Sequence, residues 1–396
     1  MVLDVDDNCH GHDEIVRGNK MKQRDVTEFR QNLERWYAKN KRYMPWRVTK
    51  NPYHIWISEV MLQQTQVATV IDYFNRFIAA FPDIESLAAA PLEHVLKLWE
   101  GLGYYSRARN LHYAVNQLVG QGCRGVPDTP ETFRHLKGVG DYINAAVQSI
   151  AFGHPLSVVD GNVKRVIARL MIIDTPVNHS NAHKIYVAHA DKLLNRHDPS
   201  TFNQAMMELG ALICKPRNPK CEDCPVGFCC KAFEKKCTDI YPKRVPPKKI
   251  PIRRKAAALV LKDDRFLILR RPAEGFLGGM WELPTTDIVP GEDIQTCLAS
   301  AIGKHAELSI RAMDLLTTIN HSYTHFKLVM SLWLVEIHPP ILPGPSNSRR
   351  KWIGLEDIEE YPFHKAIHKC FPAIQEAINS QTRSHQGAIT YRPGAA

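Results

Sequence analysis

Four cysteines, Cys214, Cys221, Cys224 and Cys230, fall within seventeen residues, separated by six, two and five others. Thiolates spaced this way hold a zinc ion or an iron–sulfur cluster. Zinc usually takes its cysteines as two close pairs divided by a longer loop. Four in one compact loop suit the wrapping of a cubane better. Cys229 adjoins Cys230, so the fourth ligand stays open between them. Lys215, Arg217 and Lys220 lie inside the loop, placed to reach phosphates.

Two carboxylates stand in settings that differ. Glu59 interrupts an apolar helical stretch beside Trp56 and Met61. Burial raises a carboxyl pKa and lets the group deliver a proton; the competing reading is a glutamate on a solvated face. The run Gln63, Gln64, Thr65, Gln66 that follows is polar yet uncharged, suited to base edges or a base stack. Asp160 closes a short apolar run and precedes a helical pattern. It reads as a helix N-cap, a position that favours the ionised carboxylate and suits stabilisation of a cationic sugar. Between them, Gly138-Val139-Gly140 makes a tight turn between two helical segments, whose N–H groups can face a phosphate. This is a candidate helix-hairpin-helix; an ordinary structural turn is the alternative.

The elements that must position these groups are mostly helical from residue 25 to 237. Apolar residues recur at helical spacing from Val26, in one long run from Ile55 through Phe77, and from Asn144, with no convincing strand. Residues 1–24 read as a flexible arm. Residues 238–255 are rich in Pro, Lys and Arg and read as an extended linker. Beyond them, two apolar runs around Asp263-Asp264 form a hairpin, a helix follows from Glu292, and a strand starts at Phe326. This part, residues 256–380, is α+β; residues 381–396 read as a disordered tail.

Hydrophobic residues make up 44% of the 396 and charged residues 23%, the balance of a globular protein with two or three domains. No apolar run is long enough for a bilayer span. The formal charge of +10 suits a polyanionic partner. Ten cysteines read as metal ligands plus buried thiols rather than as disulfides.

Taken together, the Pro45-Trp46-Arg47 run, the stretch from Ser58, the Trp99 to His112 segment, the glycine turn, the stretch around Asp160, Asn203 to Cys214 and the quartet resemble the adenine DNA glycosylases of the MutY family. These belong to the helix-hairpin-helix superfamily, with endonuclease III. The resemblance covers residues 40–237. It implies an all-α glycosylase region, a 4Fe–4S cluster on Cys214, Cys221, Cys224 and Cys230, and removal of adenine mispaired with 8-oxoguanine or guanine. It implies Glu59 as general acid and Asp160 as oxocarbenium stabiliser, with Tyr142 and Asn162 assisting. Arg47, Leu62, Gln204 and Met207 match the adenine pocket. Gln64 and Tyr104 match residues inserted into the duplex; Thr65, Gly138, Val139, Gly140 and Lys164 join them as DNA contacts.

Endonuclease III carries its Schiff-base lysine where this chain has Tyr142, so a monofunctional glycosylase is expected. The C-terminal part resembles a MutT-like (Nudix) domain, with Tyr323-Thr324-His325 in place of the family's Phe-Ser-His loop for 8-oxoguanine. The segment from Gly291 lacks the Glu-dense helix of a magnesium-dependent pyrophosphatase. Competing readings are an endonuclease III-like glycosylase/lyase for oxidised pyrimidines and a non-catalytic iron–sulfur DNA-binding module. The expected partner is mispaired duplex DNA, with no membrane and a monomeric state. The compartment would be the cytoplasm or nucleoid in a bacterium, the nucleus or mitochondrion in a eukaryote.

Overall fold

The computed structural model describes residues 23–247, 249–289, 291–306, 310–337 and 349–389. Its helices, in chain order, are α1 (Gln23–Asn40), α2 (Pro52–Leu62), α3 (Val67–Ala80), α4 (Ile84–Ala89), α5 (Leu92–Leu98), α6 (Ser106–Gly120), α7 (Pro130–Arg134) and α8 (Asp141–Ala151). They continue with α9 (Gly161–Met171), α10 (Ala182–Leu193), α11 (Pro199–Leu212), α12 (Lys231–Glu234), α13 (Ile294–Ala306), α14 (Lys365–His368) and α15 (Phe371–Ile389). The strands are β1 (Ile252–Lys262), β2 (Arg265–Arg270), β3 (Trp281–Glu282), β4 (Thr285–Asp287), β5 (Ile310–Ser322), β6 (Lys327–Ile337) and β7 (Arg350–Ile353). No described helix is long and apolar enough to cross a membrane.

Contacts divide the chain into two units. One comprises residues 1–75 and 117–247, the other residues 76–116 and 248–396. This departs from an uninterrupted helical region over 25–237: the segment with α4, α5 and most of α6 packs with the C-terminal part. Within that second unit Lys97 donates to the carbonyls of Ile358 and Tyr361 at 3.3 and 3.2 Å. Glu100 accepts from the Phe363 N–H at 2.9 Å and pairs with His368.

Among its described residues the first unit has helices and connecting loops and no strand. Its core joins α1, α9, α10 and α11 through Phe29, Leu33, Ile167, Tyr186 and Phe202. The long run from Ile55 is two helices rather than one. Residues 63–66 form a turn, and Gln64 takes φ 60° there. A left-handed backbone is costly for a residue with a Cβ and ends the helix.

Three expected boundaries move. The first described helix begins at Gln23, with residues 1–22 of the expected arm outside the described set. The linker is docked at its start, where Asn178 and Val245 exchange two 2.9 Å hydrogen bonds, and becomes strand at Ile252. The expected tail is helical through Ile389, and residues 390–396 lie outside the described set.

The second unit is built on a seven-stranded mixed sheet, with β1 antiparallel to β2 and β4 and parallel to β6. Alternation along β1 sends Ala257 and Leu259 to the face packed by Ile367, Ile374 and Ile378. Ala256, Ala258 and Val260 go to the opposite face with Leu298 of α13. Both faces are covered, which fixes the register. The hairpin around Asp263-Asp264 pairs Lys262 with Arg265, as the apolar runs imply. The β5–β6 hairpin ends in the turn that carries Tyr323-Thr324-His325, closed by Tyr323 N–H to Phe326 O at 2.9 Å.

Candidate active site and iron–sulfur loop

Glu59 stands on α2, a helix buried on nearly every side from Tyr53 to Met61. Asn51 caps it, accepting from Tyr53 N–H at 2.9 Å, and Pro52 occupies its first turn. A helix apolar all round lies in the interior, so its one carboxyl is carried out of water. Glu59 is 4% exposed. Burial, then the nearby Asp160 charge, raises its pKa to about 7 against the opposing hydrogen bond from the Tyr142 hydroxyl. Burial and the neighbouring carboxylates push the Tyr142 phenol well above its ordinary value, so it stays protonated and donates.

Asp160 is the N-cap of α9. Its carboxylate accepts from Val163 N–H at 2.7 Å and from Asn162 Nδ2 at 2.9 Å. Burial outweighs these bonds and moves the carboxyl above the usual aspartate range. The helix N-terminus alone does not set its charge, contrary to the sequence expectation. Asn162 is held in turn by Arg165 Nη2 at 2.8 Å, and Arg165 Nε donates to the Cys214 carbonyl at 2.7 Å.

Glu59, Tyr142, Asp160 and Asn162 line one cavity of about 470 Å3, together with Arg47, Leu62, Thr65, Gln204 and Met207. Sequence reasoning missed Arg42, Trp46 and Glu208, which line it too. Glu208 is 1% exposed. Burial opposes its ionisation, but hydrogen bonds from Arg42 and Arg47 prevail and hold it down at about 2. Arg42 Nε reaches Oε1 at 2.7 Å and Arg47 Nη2 reaches Oε2 at 2.9 Å, so the carboxylate clamps Arg47 into the wall. The available signal was an acidic residue inside the apolar helix α11.

Gln64 is exposed in the turn after α2, outside the cavity lining. In the helix-hairpin-helix turn Val139 is buried while Gly138, at φ 86°, and Gly140 are exposed. A Cβ-free residue is needed at that positive φ. Lys164 lies on α9, its pKa lowered by burial against the pull of Asp160.

Tyr104 belongs to the second unit, where its hydroxyl lies 2.6 Å from Thr324 Oγ1. Tyr104, Tyr323, Thr324 and His325 line a separate cavity of about 290 Å3 with Phe276 and His364. Tyr104 also has a left-handed backbone, φ 50°. Thus both residues expected to enter the duplex sit on strained backbone, which surrounding structure must hold.

Cys214, Cys221, Cys224 and Cys230 line one small cavity of about 30 Å3. Cys229 does not; its Sγ donates to the Val226 carbonyl at 3.3 Å. Arg169, 2% exposed, points Nη1 at Cys214 Sγ from 3.4 Å and also binds the carbonyls of Lys215 and Pro216. Four cysteines lining one cavity, with a buried cation on one of the sulfurs, fit a cluster of net negative charge.

Known proteins accord with this geometry. A model of the helix-hairpin-helix superfamily of base excision DNA repair proteins matches residues 57–186. The iron–sulfur binding domain of endonuclease III matches 214–227, and a NUDIX domain matches 256–373. The adenine DNA glycosylase of Rattus norvegicus is 33% identical over 408 residues, spanning 89% of this chain and 79% of its own. That of Homo sapiens is 32% identical over 409 residues, spanning 89% and 74%. That of Buchnera aphidicola subsp. Baizongia pistaciae is 33% identical over 333 residues, spanning 83% and 92%. A solved thermostable thymine-DNA glycosylase superposes with TM-score 0.50 at 30% identity, covering 54% of this chain and 98% of its own. The chain belongs to the adenine DNA glycosylase family of base-excision repair, an N-glycosylase with a 4Fe–4S cluster and a C-terminal Nudix-like domain.

Proposed function

We propose that the enzyme removes adenine mispaired with 8-oxoguanine or guanine, and does so in the cavity of the first unit by plain hydrolysis. The reading is carried by one observation: Glu59 and Asp160 line the same cavity, with the Glu59 pKa at about 7. A base within the stack is out of reach, so adenine must be extruded, and a mispaired base costs less to extrude. Glu59 starts protonated, oriented by Tyr142. It gives its proton to adenine N7. The C1′–N9 bond breaks with its electron pair on the base, and positive charge develops on the sugar. Asp160, on the same cavity wall, meets that charge as a carboxylate, since a cationic neighbour favours its ionised form. Asn162 keeps one of its oxygens oriented. Water adds at C1′, loses a proton, and an abasic site remains.

The chain offers no amine at position 142, so strand cleavage through a Schiff base has no nucleophile there. Cys214, Cys221, Cys224 and Cys230 hold the cluster, which shapes the loop carrying Lys215, Arg217 and Lys220. The cavity of the second unit reads the base opposite, through Tyr323, Thr324 and His325. The test is single-turnover adenine release from A:8-oxoguanine, A:G and A:C duplexes, beside an oxidised-pyrimidine duplex, for wild type and Glu59→Gln. Release only from the adenine duplexes, abolished in the variant while duplex binding persists, is expected. Substantial release by Glu59→Gln would sink the assignment.

A further inference from the structure

The second cavity has a support that the steps above do not use. Arg271 Nη1 lies 2.7 Å from both carboxylate oxygens of Glu282, on β3. His364, 4% exposed, places Nε2 at 3.6 Å from Glu282 Oε2. Its other nitrogen, Nδ1, lies 3.3 Å from the Tyr323 hydroxyl. Burial opposes the charge on Glu282, but His364 and Arg271 lower its pKa, so it remains a carboxylate. In the neutral imidazole, a carboxylate facing Nε2 favours the tautomer with hydrogen there, which leaves Nδ1 as an acceptor. The Tyr323 O–H then donates to His364. The Tyr323 ring is also walled in, 5.0 Å from Phe276, 4.9 Å from Phe326 and 4.5 Å from His321 by ring centroids.

We propose that Glu282 and His364 are positioning residues for reading the base opposite adenine: the chain Arg271–Glu282–His364–Tyr323 fixes the β5–β6 turn in its binding shape before DNA arrives. The inference rests on the reading of the second cavity given above, and extends it to residues remote from the turn in sequence. A phenylalanine at 323 fills the same space but has no hydroxyl for His364. This chain therefore holds its turn by a polar anchor as well as by packing. Preorganising the turn removes an ordering cost that would otherwise fall on binding.

The test uses the full-length, cluster-loaded enzyme and the ratio of single-turnover adenine release from A:8-oxoguanine over A:G at subsaturating enzyme. Tyr323→Phe and His364→Leu should each lower that ratio by about tenfold, the worth of one hydrogen bond. The double variant should lose no more than either alone. His364→Asn, which keeps a polar atom near the Nδ1 position, should restore most of the ratio. A Thr324→Ala, His325→Ala double variant tests the cavity reading by itself. If it lowers the ratio while Tyr323→Phe and His364→Leu do not, the anchor is overturned and the cavity reading stands. If the turn variant leaves the ratio unchanged, the cavity reading fails and takes the anchor with it. Equal losses on both duplexes in His364→Leu, with no rescue by His364→Asn, would make His364 merely structural and overturn the proposal.

Discussion

In the proposed mechanism Glu59 hands over a proton near neutral pH, and a carboxyl can do so only if it is kept out of water. Its pKa of about 7 predicts that adenine release falls about tenfold per pH unit above that value, as the acid ionises. Single-turnover rates between pH 6 and 9 check the slope; a flat profile would remove Glu59 as the acid. The same shift is a stability statement. Folding prefers the protonated group, so the stabilising effect is complete below the unfolded value of 4.5 and lost as pH rises through about 7. The loss is on the order of 3 kcal/mol. Glu59→Gln removes this ionisation, so its melting temperature should decline less than that of wild type from pH 5 to pH 8. The difference in melting temperature should thus move in favour of the variant as pH rises, which thermal melts at both pH values would show.

At the scale of elements, α9 joins the cavity to the cysteine loop, with Asp160 at its N-cap, Arg165 on the Cys214 carbonyl and Arg169 on the Cys214 sulfur. Stripping the iron should therefore lower duplex affinity and adenine release together; iron-free protein that excises adenine at the wild-type rate would break that link. Helix α11 must approach α9 closely. A Cβ at Gly210 would lie 2.6 Å from Asn162 Cβ and 3.1 Å from the Asn162 carbonyl oxygen. Gly210→Ala should displace Asn162 and its bond to Asp160, costing about 1–3 kcal/mol of stability and slowing adenine release more than it weakens duplex binding. Denaturant melts and single-turnover rates measure the two separately. The Asp160 cap, the helix-hairpin-helix turn and the β1–β2 hairpin were legible because each has a local signature: a capping type, a positive-φ glycine, an alternating pair of runs. The break after Leu62 was not, since Gln63 to Gln66 lack the Gly or Pro that usually marks one. The Glu208 clamp was not either, because its partners Arg42 and Arg47 stand more than 160 residues away.

Across the molecule, the net charge of +10 makes DNA affinity a function of salt. If Lys215, Arg217 and Lys220 meet phosphates, replacing any one with Ala should weaken binding to all duplexes alike and flatten the log affinity against log salt by about one unit. A duplex-specific loss would assign them to base reading instead. The largest departure from the sequence reading also lies at this scale. Residues 76–116 carry the apolar spacing of their helical neighbours, so nothing local marks them as partners of a β-rich unit. Long-range pairing leaves no periodic trace.

That pairing also sets an order of events during synthesis. Lys97 and Glu100 leave the ribosome 261 to 268 residues ahead of the groups they bind, the carbonyls of Ile358 and Tyr361, the Phe363 N–H and His368. At 5–20 residues per second the wait is roughly 13–50 s. Leu96 and Trp99, both fully buried in the finished protein, emerge with them. The nascent chain thus holds an unfinished apolar segment until residues 358–368 are made. A stop codon in the Nudix-like domain would strand that segment for good, so truncations there should harm solubility well before they bear on recognition.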